Sequence, residues 1–330
     1  MFTLVVVIIA LSLVFDFLNG FHDAANSIAT VVVTKTLTPL QAVVMAGLAN
    51  FVGYFTFGVA IAKTVGKGII QIDHVTLTVV LSALLGAILW NIITWLLGLP
   101  TSSSHALIGG LVGSGIAACG TKVIIWSGVL KIVGFIFLAP FLGMIGAIVF
   151  TIIVLWIFRK IDFSLSRKVF KGLQLFSSFW YSVGHGTNDA QKTMGIIAMA
   201  LFSGGLTDSF HLQGWVIFSC YAAIALGTMF GGWRIVKTMG TKITKIRAME
   251  GFCAETSSAL VLMGTAHFGI PVSTTHVISG SIMGVGTVEK AAEVKWIVAR
   301  KILLAWLFTI PCTAFFAAIF YFVSQFFIKI

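Results

Sequence analysis

Charge is scarce in this sequence. Only 9% of its 330 residues are Asp, Glu, Lys or Arg, whereas 58% are hydrophobic. A soluble domain averages about 25% charged residues, so too little polar surface exists here to coat a water-soluble globule of this length. Acid is scarcer still: 10 Asp and Glu stand against 21 Lys and Arg, a formal charge of +11. In a soluble protein that excess would suggest nucleic acid. Here the basic residues flank apolar runs and read as determinants of membrane topology, which excludes a nucleic-acid partner. Cysteine is also rare. Cys119, Cys220, Cys253 and Cys312 lie in apolar segments with no C-x-x-C or zinc spacing, so they read as small packing residues. The N-terminus lacks a basic n-region and a small-residue cleavage site, so its apolar stretch reads as a first membrane span rather than a signal peptide.

What is abundant is long apolar sequence. Residues 40–62, 77–99, 132–158 and 301–327 are each about as long as a span needs, roughly 20 residues. The chain is also written twice. Gly20-Phe-His-Asp-Ala-Ala-Asn26 has a counterpart in Gly186-Thr-Asn-Asp-Ala-Gln-Lys192, which pairs Asp23 with Asp189. Pro100-Thr-Ser-Ser-Ser-His105 answers Pro271-Val-Ser-Thr-Thr-His276, and Lys63-Thr-Val-Gly66 answers Lys237-Thr-Met-Gly240. Three blocks in one order and near one register indicate duplication. The expected division is a first repeat over 1–158, a short linker over 159–172 and a second repeat over 173–330.

Each repeat reads as a long span interrupted by the Gly/Asp motif, a second span, an apolar helix entering the Pro-hydroxyl block, a short Gly-rich segment leaving it, and a final span. The short segments are too short to cross alone, so each Pro block is expected to form the tip of a re-entrant hairpin; an ordinary kinked span is the alternative. Irregular backbone at that depth is tolerated only where protein or a watery cavity surrounds it. With re-entrant hairpins each repeat crosses three times, and an odd number inserts the second repeat upside down. The linker side then collects most basic residues, among them Lys35, Arg167, Lys171, Arg234, Lys245 and Arg300, while the other side holds Lys63, Lys67, Lys122, Lys131 and Lys329. The linker side is therefore cytoplasmic and both termini face outward. The fold class expected is an all-α polytopic membrane protein of two inverted-topology repeats, each with a Gly-broken helix and a re-entrant hairpin.

Charged groups inside a membrane are costly and point to function. Asp16, Asp23, Asp189, Lys192 and Glu255 qualify, Asp16 least because the repeat gives it no partner. Asp23 and Asp189 sit among glycines and amides that include Gly20, Asn26, Gly186 and Asn188. Glycine permits a helix to unwind, and the freed carbonyls with a nearby carboxylate would make an oxygen cage for a small cation. The competing reading is a pair of capping aspartates. The Pro blocks suit the opposite charge. Pro100 and Pro271 can end one helix, and hydroxyls can cap the next. The new N-terminus carries free N–H groups and about half a positive charge. With Ser102, Ser103 and Ser104 in one tip and Ser273, Thr274 and Thr275 in the other, two such tips would hold a tetrahedral oxyanion; plain N-capping is the alternative. Neither block contains arginine, so co-bound cations would balance the anion. His105 and His276 invite a Ser–His nucleophile, but no acidic third member is evident and neighbours on a helix do not face each other. No enzyme is expected. The Gly109/Gly113 and Gly280/Gly284 spacings suggest close helix packing.

These motifs, with His185-Gly-Thr-Asn-Asp-Ala-Gln-Lys-Thr-Met-Gly195, closely resemble the signatures of the inorganic phosphate transporter family over nearly the whole chain. The resemblance implies cation-coupled phosphate uptake across the cell (inner) membrane by alternating access, with sodium favoured as the co-transported ion. It implies that Glu255, in Glu255-Thr-Ser-Ser-Ala259, takes part in transport. Lys192 joins the tip hydroxyls in the expected phosphate-binding set; the expected cation set is Asp23, Asn26, Asn188, Asp189 and Glu255. Departures exist: His22 stands where many members have Asn, Gln191-Lys192 where animal members have Ser-Asn, and Asn50 where some have an acid. Lys192 could replace one cation near the anion. Proton coupling, metal–phosphate transport and sulfate transport therefore stay open, as does an anion channel outside the family. No nucleotide-binding motif occurs, so a gradient would supply the energy. The expected partners are phosphate, sodium or protons, and the lipid bilayer; a homo-oligomer is compatible with this.

Overall fold

The computed structural model describes residues 1–56, 58–160 and 163–327, without the side chains of residues 163, 164, 290 and 327. Among the described residues it is all helical. Six α-helices precede residue 160: α1 (Phe2–Val33), α2 (Pro39–Val52), α3 (Ala60–Gly68), α4 (Leu77–Leu97), α5 (Ser103–Cys119) and α6 (Trp126–Phe158). Six follow: α7 (Phe163–Ser203), α8 (Gly214–Phe230), α9 (Trp233–Lys237), α10 (Ala248–His267), α11 (Thr274–Lys290) and α12 (Trp296–Phe327). The two sets run in the same order. Helix α7 reaches well into the expected linker, and residues 161 and 162 of that linker lie outside the described residues. By length and composition α1, α4, α6 and α12 can each cross a membrane.

Local chemistry accounts for the element ends. Thr38 opens α2 through a capping box with Gln41, and Pro39 follows at the first helical position, where its missing N–H costs nothing. Gly98 closes α4 at φ +64° and Gly269 follows α10 at φ +63°. Both adopt the left-handed conformation that a side chain disfavours. Past them the chain stays non-helical through Pro100 and Pro271. Ser102 then caps α5 by accepting from the His105 N–H, and Ser273 caps α11 by accepting from the His276 N–H, each at 3.2 Å. Two helical hairpins result, α4/α5 and α10/α11, with matching tips.

One expectation is overturned. Gly20 and Gly186 do not interrupt their helices; α1 and α7 run unbroken through both motifs. These glycines serve close approach instead. A methyl added at Gly20 would lie 2.1 Å from the Ile224 carbonyl oxygen of α8, and one at Gly186 would lie 2.5 Å from the Asn50 carbonyl oxygen of α2. No backbone carbonyls are freed there, so no cage of unwound backbone forms. The breaks fall in the second spans: the chain bends by 84° between Pro39–Phe55 and Ala60–Gly68, and by 61° between Gly214–Phe230 and Trp233–Lys242.

The same exchange between the two sets governs the periphery. Gly113 meets the Ala314 carbonyl of α12, while Gly280 and Gly284 meet the Pro140 and Met144 carbonyls of α6, at 2.1–2.4 Å for an added methyl. The expected close packing at these spacings is present, and α5 pairs with α12 as α11 pairs with α6. Apolar side chains gather in two clusters, one around Ile8, Leu84, Leu111 and Met194, the other around Ile28, Tyr181, Ile278 and Trp306. Residues Tyr181 through Ala200 of α7 are all buried, so this polar helix is surrounded by protein. Helices α6 and α12 instead expose Phe137, Phe141, Ile152, Phe308, Phe315 and Phe322, as lipid-facing spans do.

Candidate functional site

Both hairpin tips and both Asp motifs converge at the buried centre. The tips touch directly: the His105 and His276 rings lie 4.8 Å apart, and His276 stacks on Trp306 at 3.8 Å. Trp306 in turn donates to the Pro100 carbonyl at 2.9 Å, which ties α12 to the first tip. The two histidines are thus packed ring against ring, with no carboxylate bonded to either, and no nucleophile is assembled there.

Asp23 and Asp189 project from intact helical turns into one cluster with His185. Ligand atoms of the three lie within 4.8 Å of one another. All are buried: Asp23 is 3% exposed and Asp189 fully enclosed. Neither caps a helix end. Burial of carboxylates demands compensation, and each obtains it locally. His22 Nδ1 pairs with Asp23 at 2.6 Å, and His22 Nε2 reaches the Thr94 hydroxyl of α4 at 3.2 Å. Lys192 Nζ lies 2.5 Å from Asp189 Oδ1, and His185 Nε2 lies 3.3 Å from its other oxygen.

Side chains from each Asp helix reach a hairpin tip of the other repeat. Asn26 Nδ2 donates to the Thr275 hydroxyl at 2.9 Å and sits 3.4 Å from that of Thr274. Lys192 donates to the Ser104 hydroxyl and, at 2.9 Å, to the Val272 carbonyl. Thr274 donates to Asp189 Oδ2 at 3.3 Å. Ser102 and Ser273 spend their oxygens on capping, so Ser103, Ser104, Thr274 and Thr275 carry the polar inner surface of the tips. Among the described residues, the buried Ser103 Oγ and Asn26 Oδ1 find no hydrogen-bond partner. Asn188 uses its amide nitrogen on the Gly184 and Leu262 carbonyls, and its Oδ1 is likewise unpartnered. Unpaired buried polar atoms are rare in folded proteins and call for a ligand or water.

Glu255 is separate from this cluster. It lies between α1, α7 and α10, fully buried, and accepts from Thr30, from Ser177 at 2.5 Å and from Gln174 at 3.4 Å. Thr30 stands one turn beyond Asn26 on α1, so a line of polar side chains joins Glu255 to the tips. Gln174 also accepts from Thr34 and Thr36 at 2.9 and 2.7 Å. Thr34 lines a cavity of about 550 Å³ with Lys35, Arg167, Lys171, Arg247 and Glu250 among its walls. His185, Thr30, Ser177 and Gln174 were not singled out by sequence, and His22 only as a departure from the family motif. The histidines were visible as motif neighbours of the aspartates, and Gln174 as a polar residue in an apolar run.

The model of the phosphate transporter family matches residues 19–317, which hold both tips and both Asp motifs. The chain belongs to this family. It is a multi-pass membrane transporter, not an enzyme. It is 52% identical over 326 residues to a "probable low-affinity inorganic phosphate transporter" of Rhizobium meliloti strain 1021, covering 98% of this chain and 97% of that one. It is 44% identical to the protein of the same description from Bacillus subtilis strain 168, covering 97% of each. A solved structure described as "The sodium-dependent phosphate transporter" superposes with a TM-score of 0.88 at 26% identity, over 99% of this chain and 100% of that chain.

Proposed function

We propose that this chain is a secondary symporter that imports inorganic phosphate with cations by alternating access, sodium being the favoured co-ion. The observation that carries the reading is the meeting of both hairpin tips with both Asp motifs in one buried cluster. Ser103, Ser104, Thr274 and Thr275 offer hydroxyls to an oxyanion, helped by the N-termini of α5 and α11. Ser103 Oγ has no protein partner there. With no arginine in either tip, balancing charge falls to Lys192 and to cations held by Asp23, Asp189 and Glu255. Phosphate as cargo follows from the descriptions of the relatives, and sodium from the sodium dependence named for the structural neighbour.

In this reading the hairpins are re-entrant, the two repeats are inserted in opposite senses, and both termini face away from the cytoplasm at the inner membrane. The bias of basic residues supports that orientation. The cavity beside Thr34 and Lys171 then opens toward the cytoplasm. The deciding experiment is labelled phosphate uptake into liposomes with sodium and proton gradients imposed separately. Uptake driven by the sodium gradient alone is the expected result. Uptake that follows only the proton gradient moves the coupling to protons, and uninterrupted single-channel current removes the symporter reading altogether.

A further inference from the structure

Lys192 is held as a metal cation would be held. Its ammonium faces three oxygens of different kinds from three parts of the chain: the Asp189 carboxylate at 2.5 Å on its own helix, the Val272 carbonyl at 2.9 Å in the second tip, and the Ser104 hydroxyl in the first tip. A carboxylate, a backbone carbonyl and a hydroxyl are the donors that hard cations collect. The side chain is 2% exposed, so the ammonium has exchanged water for these oxygens.

The first repeat supplies an internal comparison. Asn26 occupies the position of Lys192, three residues after its aspartate, and Thr275 occupies the position of Ser104. The Asn26–Thr275 bond is thus the counterpart of the Lys192–Ser104 bond. Geometry is repeated and charge is not. Asp189 has the Lys192 amine beside it, whereas Asp23 pairs with His22, and the position matching Lys192 holds the neutral Asn26.

We propose that Lys192 is a tethered cation that fills the Asp189 half of the site, so that this half takes no transported sodium and the co-ion is confined to the side of Asp23 and Glu255. This deepens the symporter reading and rests on it. Its consequence is one co-ion fewer for each phosphate than the same scaffold would need with asparagine at 192. The ammonium would also face the anion, since Ser104 belongs to the tip that receives it. The two roles differ in their dependence on sodium. A mere phosphate ligand, once removed, weakens binding at every sodium concentration. A stand-in cation, once removed, is replaced by sodium itself.

The test is a count of labelled sodium bound by the purified full-length protein, with calorimetry of inorganic phosphate at several sodium concentrations. Lys192→Asn, which copies the chain's own first repeat, should bind about one more sodium than wild type. Its phosphate affinity should rise about one power of sodium concentration more steeply. The reciprocal change Asn26→Lys should bind about one fewer, and it keeps the proposal testable if Lys192→Asn does not fold. Lys192→Asn/Asp189→Asn, which removes both charges, should return to the wild-type count. An unchanged count in whichever single variant folds overturns the proposal, as does phosphate binding in Lys192→Asn that is weakened equally at all sodium concentrations. Wild-type protein that binds no phosphate under any of these conditions would instead remove the symporter reading, and the sodium counts would still judge the lysine.

Discussion

Asp23 and Asp189 come from different repeats, yet their carboxylates share one cluster with His185, their ligand atoms within 4.8 Å. Two carboxylates so close repel unless cations or protons lie between them. Asp23→Asn should therefore disable cation capture, and Asp189→Asn should leave the buried Lys192 ammonium without its carboxylate. Asp23→Asn and Asp189→Asn are expected to abolish or severely reduce phosphate uptake while the protein remains folded. A site that loses a formal charge loses attraction on the order of several kcal/mol at low dielectric. Transport assays paired with size-exclusion profiles check this. Near-normal uptake and unchanged cation dependence in both variants would leave the aspartates without a transport role.

The hydroxyls of the two tips lead to a second expectation. Ser104→Ala and Thr275→Val should each weaken phosphate affinity by roughly ten- to hundredfold, the equivalent of about 1.5–3 kcal/mol for a hydrogen bond to a charged group. The double variant should be non-additive, because both residues would touch one ligand. Their side chains are already tied to Lys192 and Asn26, so each substitution also frees a partner group. Calorimetry on single and double variants separates the terms. Phosphate affinity indifferent to both changes would put the anion elsewhere.

How much of this was legible beforehand differs by feature. The tips were readable because their determinants are local: a Ser three residues before a histidine N–H, and a proline just ahead of it. The close-packed glycines of α5 and α11 were readable for the same reason. Gly20 and Gly186 were misread because glycine in a polar motif has two uses, unwinding and close approach. Which one applies depends on what lies across, and the Ile224 and Asn50 carbonyls belong to the other repeat. The crossed bonds Asn26–Thr275 and Lys192–Ser104 were hidden likewise. Repetition in sequence says which residues correspond, not that each half would reach into its counterpart.

Close approach by glycine has a test in stability. Gly280→Ala would drive a methyl to 2.1 Å from the Pro140 carbonyl oxygen, whereas a methyl at Gly134 of α6 meets nothing within 4 Å. Overpacking of this kind typically costs about 1–3 kcal/mol. Gly280→Ala and Gly20→Ala should lower the thermal midpoint in detergent, and Gly134→Ala should leave it unchanged or raise it. Equal midpoints in all three would mean that the helices are not held at the distances described.

Orientation can be read by labelling. Cysteines placed beside Lys67 and at Asp208 should react with an impermeant reagent added outside the cell. A cysteine at Arg167 should react only after permeabilisation. Both classes reacting from the same face would end the inverted arrangement.

Gln174 stands between the cavity lined by Thr34 and the buried Glu255, and that position makes the final prediction. Its carbonyl oxygen accepts from Thr34, which lines the cavity, and its amide donates to the buried Glu255. Gly251 leaves the room it needs; a methyl there would lie 2.2 Å from the Gln174 amide nitrogen. One side chain therefore bridges a wall of the cavity to Glu255, and it is expected to limit access to the polar residues Glu255, Thr30 and Asn26. Gln174→Ala removes three hydrogen bonds at the closure, one of them to a carboxylate, a contact worth about 1.5–3 kcal/mol. The open population should rise by roughly ten- to hundredfold. A cysteine at position 30, beside Glu255, reports this directly, because it leaves Gln174 and Glu255 in place and a thiol at the end of a closed path reacts at a rate set by how often the path opens. Thr30→Cys should therefore react slowly with a small thiol reagent from the side of that cavity, and Thr30→Cys/Gln174→Ala faster by that factor. Equal rates would show that Gln174 does not limit access, and the way to Glu255 would have to run past another helix.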